Sequence, residues 1–216
     1  MGTSGGPDII QDGLVLNLDS SDKLSYPGSG TTWNDISGNG NNAALTNGAS
    51  FNNGNGGNIT NDGIDDYVGS PYMSVGTTRT IEIIYNMTST SGDRGPVWRD
   101  DWKERVFPDI IVIVNAGGTY YYLNGPVNNT TIQNICYSYG GTSVKAYRNG
   151  VLIDNQTMNG VMDNSTYYYN FGYQCAGSSC LYTPCRIYSV KMYNRQLSDT
   201  EILQNYNATK TRFGLK

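Results

Sequence analysis

Apolar side chains recur at alternate positions in run after run of this sequence, and glycine or asparagine breaks each run within a few residues. Leu14, Leu16 and Leu18 alternate in the first run; Ile81, Ile83, Tyr85 and Met87 alternate in the longest, Arg79–Met87. Successive side chains of a strand point to opposite faces, so a period of two makes a ribbon with one apolar side. The alternate residues Glu82 and Asn86 then fall on the other face, which is expected to meet water or a ligand. Residues 131–139, 143–148 and 167–172 read as further strands, and residues 120–122 as a run of three tyrosines across a Gly-Gly turn from the apolar residues 109–114. Asn149-Gly150 between two such runs marks a hairpin, because its tight turn needs positive φ twice. With 27 glycines and 18 tyrosines in 216 residues, turn makers and strand formers dominate, and the expected class is all-β.

One stretch leaves this period. Residues 185–193 begin as a strand, with Tyr188, Val190 and Met192 expected on one face and Ile187, Ser189, Lys191 and Tyr193 on the other. Then Ser198 and Glu201 form a capping box, and Leu197 can meet Ile202 as a hydrophobic staple. A helix of about ten residues is expected, with Ile202, Leu203 and Tyr206 on one side, too short to stand alone in water. It must lie against the strand before it.

The chain is short enough for one all-β domain and shows neither repeat nor internal linker. Residues 1–11 read as a flexible arm and residues 12–216 as the domain. Net charge is −4, with no basic cluster to neutralise phosphates, so nucleic acid and anionic membranes are not expected partners. No apolar run approaches the length of a membrane span, and the first residues lack the basic and apolar regions of a signal peptide. Histidine is absent, which removes Ser-His-Asp and Cys-His nucleophiles and His-ligated metal sites. Of the four cysteines, Cys136, Cys175, Cys180 and Cys185, reduced thiols are the first expectation. A local disulfide Cys175–Cys180 and a four-thiolate zinc site are the alternatives.

A glycosidase needs two carboxylates about 5–9 Å apart. Glutamate occurs only at Glu82, Glu104 and Glu201, the last taken by the helix cap, and Asp100, Asp101 and Glu104 lie in a charged segment where solvated pairs are the default. No catalysis is expected. Trp98, Trp102, Tyr120, Tyr121 and Tyr122, with Asn115 and Asn124 nearby, suit either a sugar, whose apolar face stacks on rings while amides meet its hydroxyls, or a subunit contact. Trp33 is a plug beneath its loop or a ligand platform.

Four phrases carry a resemblance. They are residues 193–206 (YNRQLSDTEILQNY) after a strand; the turn with Trp33, Asp35, Ser37, Gly38, Gly40 and Asn41; residues 61–68 (NDGIDDYV); and residues 144–153 (VKAYRNGVLI). Together they resemble concanavalin A-like lectin modules of the laminin-G-like and pentraxin-like kind, over roughly residues 12–206. The wording of residues 193–206 is similar to that in structural proteins of tailed bacteriophages and in bacterial surface proteins, and the Trp33 turn also resembles the phage versions. The resemblance implies a two-sheet antiparallel β-sandwich, or jelly roll, closed by one short C-terminal helix. It also implies calcium held between loops by oxygen ligands, for which Asp62, Asp65 and Asp66 with Asp35 or Asn39 are the available residues; the same acids could simply stabilise turns. The function it implies is a non-catalytic virion structural or adhesion protein, on a fibre, tail or capsid. Other virion proteins, further copies of the chain in a trimer, and host-surface glycans are its expected partners. A free-standing calcium-assisted lectin is the alternative, and a glycoside hydrolase the third reading.

Overall fold

The structure, a computed structural model, describes residues 7–89, 95–126, 130–176 and 179–215. Its strands follow in order as β1 (Leu14–Asp19), β2 (Thr32–Trp33), β3 (Ala43–Thr46), β4 (Ser50–Asn52), β5 (Asn58–Asn61), β6 (Tyr67–Gly69), β7 (Arg79–Met87), β8 (Val97–Arg99) and β9 (Glu104–Val106). After these come β10 (Ile110–Val114), β11 (Tyr120–Asn124), β12 (Gln133–Gly140), β13 (Ser143–Arg148), β14 (Val151–Thr157), β15 (Tyr169–Phe171), β16 (Tyr173–Ala176), β17 (Ser179–Tyr182) and β18 (Cys185–Tyr193), and the helix α1 (Asp199–Phe213) closes the chain.

Two antiparallel sheets make a β-sandwich, as expected. The first runs β14-β13-β12-β7-β18-β5-β4, with β1 sharing the far edge of β18 beyond β5; the second runs β11-β10-β9-β8-β15-β6-β3-β2. Ile81, Ile83, Tyr85 and Met87 of the first sheet and Val97, Val106, Ile111, Ile113 and Phe171 of the second belong to one buried cluster. Trp33 is fully buried in it, as a plug. The β13–β14 hairpin turns at Asn149 and Gly150, with φ of 51° and 77°.

The outer face of the first sheet differs from its sequence reading. Glu82 and Asn86 meet neither water nor ligand; both are buried. Helix α1 lies over them, and Asn205 Nδ2 donates to Glu82 Oε2 at 3.0 Å while Lys191 Nζ reaches Glu82 Oε1 at 3.1 Å. Strand β18 carries a bulge between Ile187 and Ser189, so Ile187 packs in the sandwich core with Val190 and Met192, and Tyr188 turns outward onto Phe213 of the helix. A strict alternation misassigned those two side chains because one extra residue reverses every later one.

The helix has 15 residues, longer than expected, because Thr209 and Phe213 are buried beyond the sequence-visible stripe. Its capping box is formed, and Gly214 ends it in a left-handed conformation. Arg195 bonds Glu201 at 2.6 and 3.0 Å, and with the Ser198 N–H and hydroxyl it holds the Glu201 carboxyl down to about 2. A depressed carboxylate stabilises the fold fully above its unfolded value and progressively less as pH falls toward its folded one. The melting temperature of wild type should therefore exceed that of Glu201→Gln by a constant margin above about pH 5 and converge with it near about pH 2, as measured by thermal melts across that range.

Residues 8–11 belong to the segment read as a flexible arm, yet they lie on the helix. Asn205 accepts from the Ile10 N–H at 2.9 Å, Tyr193 donates to the Ile10 carbonyl at 3.1 Å, and Gln204 donates to the Asp8 carbonyl at 2.8 Å. Residues 1–6 lie outside the described residues. Cysteine chemistry also differs from the first expectation: Cys175 and Cys180 face one another in the β16–β17 hairpin and form a disulfide, while Cys136 and Cys185 are free and buried.

The charged segment around Trp98 and Trp102 forms β8 and β9 in the second sheet, and its charges are not solvated pairs. Glu104 is fully buried between the sheets, its Oε1 accepting from Arg79 at 3.0 Å, Arg99 at 2.7 Å, and the Tyr139 and Tyr169 hydroxyls at 3.0 and 3.1 Å. Arg99 also bonds Asp101 and Asp163.

Candidate functional site

The helix covers the outer face of the first sheet, and the outer face of the second remains open. Its side chains follow from the alternation: Val68 and Phe171 point into the core, so Tyr67, Gly69 and Asn170 point out. Tyr67 is thus half-buried on a surface of the sandwich. A depression of about 340 Å³ lies there, with Tyr67, Tyr168 and Tyr173 as walls and Gly69 and Ala44 among its lining. Tyr173 stacks on Tyr67 at 4.8 Å between centroids and leans on Tyr182 at 5.0 Å. The β16–β17 hairpin that carries Tyr173 is tied by the Cys175–Cys180 bond. Burial, then the nearby Tyr182, Tyr67 and Asp100, raises the Tyr173 hydroxyl above its ordinary range, so it is a neutral donor.

Asn170 and Asp100 also line this depression. The Asp100 backbone N–H bonds the Tyr168 carbonyl, but neither the Asp100 carboxylate nor the Asn170 amide has a partner among the described residues. Aromatic faces beside one free carboxylate and one free amide can stack a ring and hydrogen-bond its edge.

Of the residues singled out from sequence, Trp102, Tyr120 and Tyr122 are exposed on this outer face. Trp98 points to the same side, paired with Asn170 across β8 and β15, but is buried, with Trp102 packed on it at 6.0 Å and itself 44% exposed. Tyr120 and Tyr122 are stacked and exposed on β11, with Asn124 next on the same alternation at the sheet edge. Tyr121 does not join them. It points inward, is buried, and its hydroxyl is engaged by the Asn159 backbone. Asn115 is likewise spent, bonding Asn159 O and the Thr119 N–H. Tyr67, Tyr168, Asn170 and Tyr173 were missed; only the inward assignment of their neighbours identifies them as outward.

Asp62, Asp65 and Asp66 place one carboxylate oxygen each within 4.8 Å of one another, in the loop entering β6. Asp66 is buried, and burial with the charges of Asp62 and Asp65 raises its carboxyl, against the pull of the Asp62 N–H. Hard oxygen donors so disposed fit a calcium ion, which would steady the strand that carries Tyr67. Asp35 is not among them. Its two oxygens accept from the Asn17, Ser37 and Asn41 N–H groups and the Ser37 hydroxyl, which fills their capacity, and Asn39 bonds the Leu14 carbonyl. Both residues build the turn.

No family model matches the sequence, and no curated protein does. Among solved structures, domain 4 of AbnA, an extracellular arabinanase from Geobacillus stearothermophilus, aligns with a TM-score of 0.71 at 13% identity, over 89% of this chain and 98% of that domain. The binding domain of Paraclostridial Mosquitocidal Protein 1 aligns at 0.70 and 15% identity, over 92% of this chain and 52% of that one. A Trypanosoma rangeli sialidase aligns at 0.65 and 13%, over 93% of this chain and 33% of that one. The chain thus spans a whole domain of the first, about half of the second and a third of the third. At these identities the likeness is one of fold.

Proposed function

We propose that this chain is a non-catalytic carbohydrate-binding β-sandwich whose site is the open face of the second sheet. The observation that carries the reading is the depression walled by Tyr67, Tyr168 and Tyr173 with the unpartnered Asp100 and Asn170 at its edge. The arabinanase domain, 98% of which is covered by the match, was solved in complex with arabinotriose, which supports an oligosaccharide as ligand. Against catalysis, all three glutamates serve the fold: Glu82 holds Lys191, Glu104 holds two arginines, and Glu201 caps the helix. Display on a tailed-phage particle, with other virion proteins and further copies as neighbours, is supported by the wording of the Trp33–Asn41 turn and of residues 193–206. Electron microscopy with antibody labelling of the source particle tests it, and a chain absent from the particle would leave the free lectin.

Wild type should bind a defined oligosaccharide class on a glycan array. Tyr173→Ala or Tyr67→Ala should weaken that binding about tenfold or more, the loss typical of a buried aromatic anchor, without lowering the melting temperature comparably. Chelator during the array tests the calcium contribution of Asp62, Asp65 and Asp66. Binding that survives both tyrosine substitutions would move the site elsewhere, and turnover of a bound glycan would end the non-catalytic reading.

A further inference from the structure

Direct cross-strand partners on the outer side of the second sheet line up in one row, Tyr122, Val112, Arg105, Trp98, Asn170, Gly69 and Ala44, of which Val112 and Trp98 are buried. Arg105 stands out in it. Its neighbours Glu104 and Val106 point into the core, so its guanidinium emerges on the open side, 5.5 Å from the centroid of Trp98 and 5.7 Å from that of Phe107. Tyr120 and Tyr122 are close enough to act on its charge. Yet it has no carboxylate and no hydrogen-bond partner among the described residues, and its Nε is buried and unpartnered. Arg79, Arg99, Arg195 and Arg212, by contrast, each hold an acid.

A half-buried guanidinium whose face is stacked on rings keeps its N–H edge free, and that edge is the part that grips a carboxylate or sulfate in two parallel bonds. Burial pulls its pKa down against the opposing pull of Tyr120 and Tyr122, so an anion at that edge would relieve a cost that the protein itself leaves standing. Strand spacing puts Arg105 about 10 Å from Asn170, with the buried Trp98 beneath the span, so one ligand longer than a single ring reaches both. Trp102 beside them is held at φ 69°, a conformation unfavourable for so bulky a residue. The free carboxylate of Asp100 on the same face and a net charge of −4 disfavour a densely charged polyanion.

We infer that the open face takes a sparsely acidic glycan, neutral where it meets Tyr67, Tyr173 and Asn170 and carrying a carboxylate or sulfate where it meets Arg105. This rests on the carbohydrate-binding reading above. Matched pairs separate the two: oligogalacturonate against its methyl ester, sialyllactose against lactose, and sulfated against unsulfated galactose, titrated into the full chain by calorimetry. Wild type should prefer an acidic member by about tenfold or more, with the pair that shows it telling carboxylate from sulfate, and the preference should shrink as salt rises. Arg105→Gln should erase the preference and leave neutral binding intact; Arg105→Lys, a charge without the planar fork, should restore part of it. Tyr173→Ala should weaken both members together. Equal binding of both members by wild type, a preference that persists in Arg105→Gln, or a parallel loss of neutral and acidic binding in that variant would overturn the role of Arg105 while leaving glycan binding standing. If no member of any pair binds, the carbohydrate reading falls and takes this inference with it.

Discussion

Glu104→Ala should destabilise the fold by about 3–5 kcal/mol, a large share of the 5–15 kcal/mol typical of a whole domain. Glu104 contributes one fully buried oxygen that receives four donors, two of them from the charged arginines 79 and 99. Removing it strands both guanidiniums between the sheets. Arg99 keeps Asp101 and Asp163, but Arg79 retains only a carbonyl, that of Asp163, and the Tyr169 hydroxyl. Breaking a buried pair costs far more than the pair contributes over an apolar replacement, because the remaining charge stays desolvated. Glu104→Gln, which keeps the oxygen and loses the charge, should cost less than Glu104→Ala. Urea unfolding of the two variants measures this, and a loss under about 1 kcal/mol for Glu104→Ala, the size of an exposed ion pair, would show that this centre is solvated after all.

A chain ending at Leu197 should lose its cooperative thermal transition altogether. The helix it lacks buries Ile202, Tyr206 and Phe213, and each large apolar side chain returned to water forfeits about 1.5–3 kcal/mol. Its loss also uncovers Ile84 and Tyr188 and leaves the Glu82–Lys191 pair without Asn205. Residues 8–10 lose their partners at Gln204 and Asn205 in the same step. Together these approach the whole stability of a domain this size. Calorimetry and dye binding to exposed apolar surface report the outcome; a truncated chain that melts cooperatively near the wild-type temperature would mean that the helix is an ornament on a self-sufficient sandwich.

Much of the architecture was legible because it is written locally. The two-residue period of β7, the Asn149-Gly150 turn and the Ser198–Glu201 box each depend on residues within one short window, and each formed as read. The site was legible only in part. Trp102, Tyr120 and Tyr122 reached the open face, whereas Trp98 is buried beneath Trp102, and Tyr121 points inward because three consecutive tyrosines on a strand cannot all face one way. Tyr173, in turn, reaches the site through a hairpin whose disulfide runs against the reduced state first expected of these cysteines.

By itself the sequence determined that this chain makes short antiparallel strands ended by one capped helix, since periodicity, turn chemistry and capping act over a few residues. Which side of which sheet stays open was decided only by the tertiary structure. Alternation divides every strand into two faces without saying what will cover either, so Glu82 and Arg105 look alike as charges whose strand neighbours point into the core. The helix settles over the first, Lys191 and Asn205 close around it, and the second is left on aromatic rings with its charge unmatched.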